Sequence, residues 1–302
     1  MALSDNTRGA LFMASAMAAF ACNDAMVKSL TQDLSIAQIM AVRGVMTTVL
    51  VFSVSRMLGV SLSLKWLTDP LVLLRTAFEL GATLTFFSAL ARIEFAAAAS
   101  IMQSLPLAVT LGAALFFREP VGWRRWTAIV VGFFGVLLII RPGPEGFQPA
   151  ALFAVAAICF TACRDLTTRR ISRDVPTLTI TLFTSFVVMI VGFALITPMG
   201  GWQPISSGNW LMLVLTSVAV FAGYQAVILA MRGGEISFVA PFRYTSLIWA
   251  LIIGVLIFGE RPGASVLVGA AIVIGSGLYT FYRESRRAID TAKTAAVPPA
   301  SG

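Results

Sequence analysis

Ten apolar segments, each close to the length that crosses a membrane, follow one another along this chain of 302 residues. A helix needs about 20 mostly apolar residues to cross the hydrocarbon core of a bilayer. A segment in lipid must also satisfy its own backbone hydrogen bonds, which a helix does. The pattern therefore predicts an all-α integral membrane protein with ten transmembrane helices. They are expected near residues 9–30, 37–57, 71–90, 95–117, 126–141, 149–169, 178–197, 209–231, 236–258 and 264–282.

The composition supports a membrane protein. The chain is 58% hydrophobic and only 12% charged, whereas a soluble globular domain carries about 25% charged residues. The net charge of +8 could indicate a nucleic-acid partner. However, most lysines and arginines flank the apolar segments and form no continuous basic face, as is typical of charges that orient membrane proteins. We therefore expect no nucleic-acid partner.

The distribution of basic residues predicts the orientation. If the N-terminus lies in the cytoplasm, the segments on that side hold fourteen lysines and arginines, and the opposite loops hold only Arg92, Arg141 and Arg261. Cytoplasmic loops carry such an excess, so both termini are expected to be cytoplasmic. Residues 283–302 are basic and then rich in small residues and proline, which predicts a disordered cytoplasmic tail.

Metal and redox chemistry find little support in the sequence. Histidine, the commonest proton shuttle and metal ligand, is absent. Cys22, Cys159 and Cys163 all fall in apolar segments. Two thiols one helical turn apart, as at Cys159 and Cys163, make a poor zinc site without further ligands. The sequence predicts no metal site, no disulfide and no cofactor.

The two halves of the chain repeat each other at a fixed offset of 141 residues. The stretch ACNDAMVKSL at 21–30 aligns with ACRDLTTRRI at 162–171, and LFFREP at 115–120 aligns with LIFGER at 256–261. Agreement on one shift without a gap is the signature of an internal repeat. The matching pairs are Cys22 with Cys163, Asp24 with Asp165, Lys28 with Arg169, Glu94 with Glu235, and Glu119 with Glu260.

Each half holds five predicted helices. Because five is an odd number, the second half enters the membrane from the side opposite to the first, which makes an inverted repeat. Secondary transporters built from inverted repeats bind their solutes near the membrane midplane, between the halves. We expect the first repeat to cover residues 1–143 and the second to cover 148–282.

Ten spans, a five-plus-five inverted repeat, and an acidic residue closing the fourth and ninth spans together resemble the EamA type of the drug/metabolite transporter superfamily. The closing motifs are REP at 118–120 and GERP at 259–262. The resemblance covers about residues 8–282. It implies a transporter of small organic solutes in the bacterial inner membrane, with a cavity built mainly from spans 1, 3, 4, 6, 8 and 9. The stretches NDAMVKSL and RDLTTRRISRDVP are also similar to a branch that includes riboflavin and S-adenosylmethionine uptake proteins.

Eight charged residues fall inside the predicted spans, where a charge at the bilayer centre costs about 2.5–3.5 kcal/mol on insertion scales. Asp24 and Lys28 stand one helical turn apart, as do Arg75 and Glu79, so each pair can neutralise itself along one helix face. Alternatively, the long basic side chains extend to the headgroups. A carboxylate in an internal cavity can also carry a proton through a transport cycle. The residues predicted for charge pairing or proton coupling are Asp24, Lys28, Arg75, Glu79 and Asp165.

Arginine suits solute recognition because its planar guanidinium binds carboxylate or phosphate in a fork and stacks on rings. Pro241 predicts a break in the ninth helix beside several aromatic residues, although an ordinary packed kink explains it equally well. Pro106 predicts a kink in the fourth helix, but it is not the repeat mate of Pro241. The residues predicted to bind the solute are Arg43, Gln103, Arg164, Tyr224, Gln225, Arg243, Tyr244 and Trp249.

Two alternatives stay open for the polar residues of these spans. Gln103, Tyr224 and Gln225 are equally well explained by interhelical hydrogen bonds. Glu119 and Glu260 lie at span ends, where we expect caps or loop anchors rather than ligands.

The charges inside the spans number five basic and three acidic, which favours a neutral or anionic solute over a cation. Aromatic residues on spans three, eight and nine favour a flat heterocycle, because ring faces stack. Riboflavin uptake is the predicted function. Export of amino acids or drugs and transport of S-adenosylmethionine remain alternatives.

Two other classes of membrane protein are disfavoured. An intramembrane enzyme would need a nucleophile with its base or a metal constellation, and no H-E-x-x-H motif and no suitable G-x-S-x-G motif is present. A channel usually builds its filter from symmetric rings in an oligomer, whereas an inverted repeat within one chain favours alternating access. The predicted partners are a small-molecule solute and membrane lipid, and a homodimer is left open.

Overall fold

A computed structural model describes residues 5–59, 66, 68–119, 122–141, 148–172, 174–233 and 236–295, without the side chains of 232–233, 236–237 and 284–295. Within these ranges every regular element is a helix. Pro120 of the first closing motif and Glu235, the repeat mate of Glu94, lie outside the described residues. The helices are α1 (Asp5–Asp33), α2 (Ile36–Met57), α3 (Pro70–Leu90), α4 (Phe95–Met102), α5 (Leu105–Phe117), α6 (Trp123–Ile140), α7 (Ala151–Thr168), α8 (Thr177–Ile196), α9 (Ser207–Gly233), α10 (Ile236–Val239), α11 (Thr245–Leu256) and α12 (Ala264–Ala295).

The ten predicted membrane segments are all present as helices in the described part of the chain. Nine segments are long and apolar enough to cross a membrane, and α4 with α5 counts as one of them. The remaining segment is the ninth, in which the apolar helix Ala240–Leu256 is shorter because the span is broken. The prediction of an all-α membrane protein with ten spans is therefore confirmed.

Side-chain caps determine where two of the helices begin. Asp69 Oδ1 accepts hydrogen bonds from the backbone N–H of Leu71 at 2.8 Å and of Val72 at 3.2 Å. Pro70 occupies the first turn of α3, where its missing N–H costs nothing. Ser35 Oγ accepts from the backbone N–H of Gln38 at 3.2 Å and caps α2 in the same way.

The fourth and ninth spans are both interrupted near their middle. The fourth breaks at Gln103 and Ser104, between α4 and α5, and the ninth passes through a 3₁₀ turn, Ala240–Tyr244, before α11 begins. Tyr244 stands 141 residues after Gln103, so the two breaks match in the repeat although the two prolines do not. The breaks are thus features of the fold, and proline is only one way of forming them.

Helix packing follows the repeat. The first span packs against the eighth (α1 with α9), and their repeat mates, the sixth and third spans (α7 with α3), pack against each other in the same way. The second and seventh spans form a third pair (α2 with α8), and the fifth and tenth form a fourth (α6 with α12). The fifth and tenth spans approach closely, since a Cβ added to Gly135 would lie 2.8 Å from the carbonyl oxygen of Gly269.

The buried core lies mainly at one end of the bundle, which we name the Lys28 end; the opposite end, where α7 finishes, is named the Arg169 end. Leu30, Ile39, Leu90 and Phe95, all near the Lys28 end, are almost completely buried and belong to one large apolar cluster that α6, α7, α9, α11 and α12 complete. The helices are therefore packed more tightly at the Lys28 end.

The last helix extends beyond its predicted end. Helix α12 runs to Ala295, whereas a disordered tail was predicted from residue 283. The segment 283–295 is helical instead, because Arg, Glu, Ala and Lys, which dominate its sequence, are strong helix formers. The rest of the predicted tail, 296–302, lies outside the described residues.

Candidate functional site

Charged side chains from both halves of the chain meet in the interior. Arg164 on α7 contacts two carboxylates, with Nη1 3.1 Å from Glu79 Oε2 and Nη2 2.8 Å from Asp165 Oδ1. Arg75 Nη2 lies 3.5 Å from the same oxygen of Glu79, one helical turn away. Glu79 therefore joins two arginines, one from each half, across the interface of α3 and α7. The predicted pairing of Arg75 with Glu79 is present in this arrangement.

Asp24 and Arg43 extend this group of charges toward α1 and α2. Asp24 Oδ1 accepts a hydrogen bond from Asn23 Nδ2 at 2.8 Å, and Arg43 interacts electrostatically with Asp24, Tyr224 and Glu79. Tyr224 is 55% exposed and packs against Phe20, with ring centres 5.3 Å apart. It lies within electrostatic range of Glu79 and of three arginines, those at 43, 75 and 164, without a hydrogen bond to them. We name these seven residues the charge cluster: Asp24, Arg43, Arg75, Glu79, Arg164, Asp165 and Tyr224.

Arg43 differs from the other two arginines of the charge cluster in its contacts. Its guanidinium lies 5.6 Å from the centre of the Phe87 ring, within the range of a cation–π interaction. Within the described part of the chain no carboxylate lies within 4.0 Å of it, and no hydrogen bond to it is formed. Its five N–H donors are therefore available to a solute.

Lys28 lies outside the charge cluster. The spacing of four residues predicted that Lys28 pairs with Asp24, but it does not. Its Nζ lies 3.4 Å from Glu260 Oε1 instead. Nζ also donates to the carbonyl oxygens of Ile93 at 2.5 Å and Leu90 at 3.3 Å. These acceptors lie at the Lys28 end, one helical turn beyond Asp24, so Lys28 forms tertiary contacts in place of the local pair.

Gln103 connects the two helix breaks. Its Nε2 donates to Ser246 Oγ at 2.5 Å and lies 3.5 Å from the carbonyl oxygen of Tyr244. The Tyr244 hydroxyl lies against Gly277 of α12, where a Cβ would collide with it. Both residues thus contact neighbouring spans, and the contact of Gln103 fits the interhelical alternative.

Three further predicted ligands are not brought to the charge cluster. Gln225 lies on the exposed face of α9, seven residues after Val218, which is 52% exposed. Trp249 shares the exposed face of α11 with Ile248 and Ile252. Arg243 is exposed on the 3₁₀ turn.

The charge count that was used to predict a net positive cavity changes with this geometry. Lys28 and Arg243 lie outside the charge cluster, which retains three arginines and three carboxylates. Its formal charge is therefore zero. The five basic and three acidic residues inside all the spans sum to +2, which exceeds the charge of the cluster itself.

Sequence reasoning missed two polar residues that position the cluster. Thr184 Oγ1 accepts a hydrogen bond from Arg75 Nη1 at 2.9 Å, and Asn23 donates to Asp24. A polar residue directly beside an intramembrane carboxylate was a signal for Asn23. Thr184 carried no such signal, because threonine occurs throughout membrane helices.

The comparison with known proteins agrees with this architecture. The EamA-like transporter family matches two segments, residues 7–141 and 148–282. The chain belongs to the EamA-like transporter family. The two matches begin 141 residues apart, at residues 7 and 148, which is the offset of the internal repeat. The five-plus-five inverted repeat and the predicted family are thereby confirmed, and the chain is a multi-pass membrane transporter and not an enzyme.

Several curated relatives carry names that indicate solutes. A riboflavin transporter of Vibrio cholerae is 28% identical, covering 93% of this chain and 95% of the relative. An S-adenosylmethionine uptake transporter of Rickettsia bellii is 27% identical over 62% of this chain and 63% of its own length. A pseudopaline exporter, CntI, of Pseudomonas aeruginosa is 24% identical over 88% of this chain and 93% of its own. The family thus includes both uptake and export proteins.

A solved structure supports the fold. The crystal structure of another protein aligns with 93% of this chain and 98% of its own chain, at a TM-score of 0.64 and 19% sequence identity. At this identity the likeness shows the shared fold alone.

Proposed function

We propose that this EamA-family transporter takes up riboflavin across the bacterial inner membrane by alternating access, with both termini in the cytoplasm. The repeats at 1–143 and 148–282 are the two units that move against each other. The observation that carries the proposal is the charge cluster, because Glu79 of the first repeat and Arg164 of the second form it jointly at 3.1 Å. A solute bound there touches both units, as the solutes of inverted-repeat transporters do.

The choice of riboflavin rests on chemistry and on the relatives together. The ring system of riboflavin is flat and uncharged, with carbonyl acceptors and a ring N–H donor. A formally neutral site that offers the donors of Arg43 and the acceptor oxygens of Asp24 suits such a ring, and Phe87 and Tyr224 supply aromatic faces. The Vibrio cholerae riboflavin transporter is similar over nearly the whole chain.

S-adenosylmethionine is the second candidate, favoured by the Rickettsia relatives. Its sulfonium is a permanent cation. Of the carboxylates in the charge cluster, Glu79 and Asp165 are already held by arginines, which leaves only Asp24 to balance it. Riboflavin needs no such counter-charge, so we place S-adenosylmethionine second.

Growth of a riboflavin-requiring bacterial strain without its own uptake protein tests the proposal. Expression of this chain should restore growth at low external riboflavin, and the uptake of labelled riboflavin should be reduced by excess unlabelled riboflavin but not by excess S-adenosylmethionine. If the protein is present in the membrane and growth is not restored, riboflavin uptake is excluded. Competition by S-adenosylmethionine alone would favour the second candidate.

A further inference from the structure

One buried network closes the Lys28 end of the bundle. Glu260, which follows α11, accepts hydrogen bonds from the backbone N–H groups of Phe95 at 2.6 Å and Ala96 at 3.2 Å, the first residues of α4. Lys28 binds the same carboxylate and the carbonyl oxygens at the end of α3. The side chains of Lys28 and Glu260 are only 14% and 8% exposed. Four segments, from both repeats, are therefore held at this point.

The repeat places an equivalent pair at the opposite end. Arg169 is the mate of Lys28 and Glu119 is the mate of Glu260, each at the offset of 141. Arg169 Nη1 lies 3.8 Å from Glu119 Oε1. The mates of Phe95 and Ala96 are residues 236 and 237, where α10 begins.

The two pairs differ in packing, although their residues correspond. The Arg169 and Glu119 side chains are 54% and 53% exposed, several times more than their mates. Helix α4 packs against α11 at the Lys28 end. The corresponding pair, α5 and the segment 236–244, makes no comparable contact among the described residues. Such an asymmetry between equivalent pairs indicates one closed end and one open end.

We propose that Lys28–Glu260 and Arg169–Glu119 are the two gate latches of the transport cycle, and that this structure is the state closed at the Lys28 end and open at the Arg169 end. In the opposite state Glu119 accepts from the backbone N–H groups of residues 236 and 237, and Lys28 separates from Glu260. With the orientation proposed above, this structure opens to the cytoplasm. The inference rests on the alternating access of the proposed function, but not on the identity of the solute.

The latches are chemically suited to this exchange. A carboxylate that caps two backbone N–H groups forms charge-assisted hydrogen bonds, which are strong when buried. Its repeat mate at the exposed end, Glu119 in this structure, can bond water instead at little cost. The hydrogen bonds formed when one end closes therefore compensate for those lost when the other end opens, and the two states stay close in free energy.

Distances between spin labels test the proposal on the full chain in lipid without any solute. A label pair at Gln32 and Arg261, one position from each repeat, reports the Lys28 end. A pair at Phe116 and Thr168, again one from each repeat, reports the Arg169 end. All four positions are exposed. The substitution Glu260→Gln should add a longer population to the first pair and a shorter one to the second, whereas Glu119→Gln should leave only the closed distance at the Lys28 end.

A control variant, Glu94→Gln, and a second latch variant, Lys28→Met, complete the test. Glu94→Gln removes a carboxylate at the same end, one that makes no capping hydrogen bond, and should leave both distances unchanged. Lys28→Met breaks the latch from its other side and should act like Glu260→Gln. If both variants leave the distances unchanged, or shift both label pairs in the same direction, the latches are refuted. Because riboflavin is absent, a wrong solute would leave this result intact.

Discussion

At the scale of single residues, Arg43 is the arginine of the charge cluster that forms neither an ion pair nor a hydrogen bond among the described residues. Arg75 and Arg164 are each held by Glu79, whereas the Arg43 guanidinium lies 5.6 Å from the centre of the Phe87 ring and interacts with Asp24 through longer-range electrostatics. An unused guanidinium in the interior is costly unless a ligand or water binds it. We therefore expect the Arg43 guanidinium to bind a solute.

Replacing Arg43 should weaken solute binding more than it weakens the fold. A hydrogen bond to a charged group contributes about 1.5–3 kcal/mol, so Arg43→Gln should raise the KM for riboflavin by about 10- to 100-fold. Flux into proteoliposomes measures it. The matched control is Arg92→Gln, because Arg92 also lies over an aromatic ring, that of Phe153 at 5.2 Å, but at the protein surface. An equal loss of flux in both variants would contradict the role of Arg43.

Glu79 should matter for stability, since it neutralises two arginines. The substitution Glu79→Gln leaves Arg75 without its carboxylate and leaves Arg164 with Asp165 alone. We expect a loss of about 1–3 kcal/mol, below the value for a fully buried pair because these side chains are about one-fifth exposed. Thermal unfolding in detergent measures it. Asp165→Asn should cost less, because Glu79 still binds Arg164; the reverse order would contradict this assignment.

The contacts of Lys28 could not be predicted from the sequence. A spacing of four residues correctly predicted the contact of Arg75 with Glu79, which forms alongside the hydrogen bond from Arg75 to Thr184. The same spacing failed for Asp24 and Lys28, because Glu260 and two backbone carbonyls lie within reach of the lysine. These acceptors are far away in sequence. From the sequence, Glu119 and Glu260 were expected to be caps or loop anchors, and nothing in it linked either residue to Lys28.

At the scale of helices, the two broken spans determine where the repeats meet. Prolines located the breaks approximately, but they stand at different repeat positions. The breaks themselves are equivalent, at Gln103 and Tyr244, and Gln103 bonds across them to Ser246. The spans were predictable because apolar length is a strong signal. The contact between the breaks was not, because it depends on the packing of two helices 141 residues apart.

A double-mutant cycle tests the contact between the breaks. Gln103→Leu and Ser246→Ala should each lower stability by about 0.6–1.7 kcal/mol, from the average to the largest value for hydrogen bonds between membrane helices. The double variant should lose little more than either single variant, since both remove the same bond. Unfolding in mixed micelles measures all three. Fully additive losses would mean that the two side chains do not interact.

At the scale of the whole molecule, the inverted repeat accounts for the paired helices, the shared cluster and the unequal ends. The fold and the repeat followed from the sequence because apolar length, charge bias and a constant offset are properties of the whole chain. The conformational state of the molecule could not be predicted from the sequence, because a repeat predicts two equivalent ends and does not indicate which one is closed.

Topology provides a test that is independent of any solute. Reporter domains that are active only outside the cytoplasm should be active when fused after Trp202, in the connection between α8 and α9, and inactive when fused after Ser172, which follows α7. The excess of basic residues in the predicted cytoplasmic segments is the physical reason. Activity at both positions, or at Ser172 alone, would overturn the proposed orientation.

Counterflow of riboflavin in proteoliposomes tests the central claim most directly, namely that a solute binds between the repeats and is carried from one side to the other. Vesicles preloaded with unlabelled riboflavin should accumulate labelled riboflavin transiently above its equilibrium level. Each protein that exports unlabelled riboflavin then exposes an empty binding site to the outside, where labelled riboflavin can bind and be imported. Vesicles that contain the Arg43→Gln protein should show little of this overshoot. Entry of label at the same rate with and without preloading, rising only to equilibrium, would contradict the account.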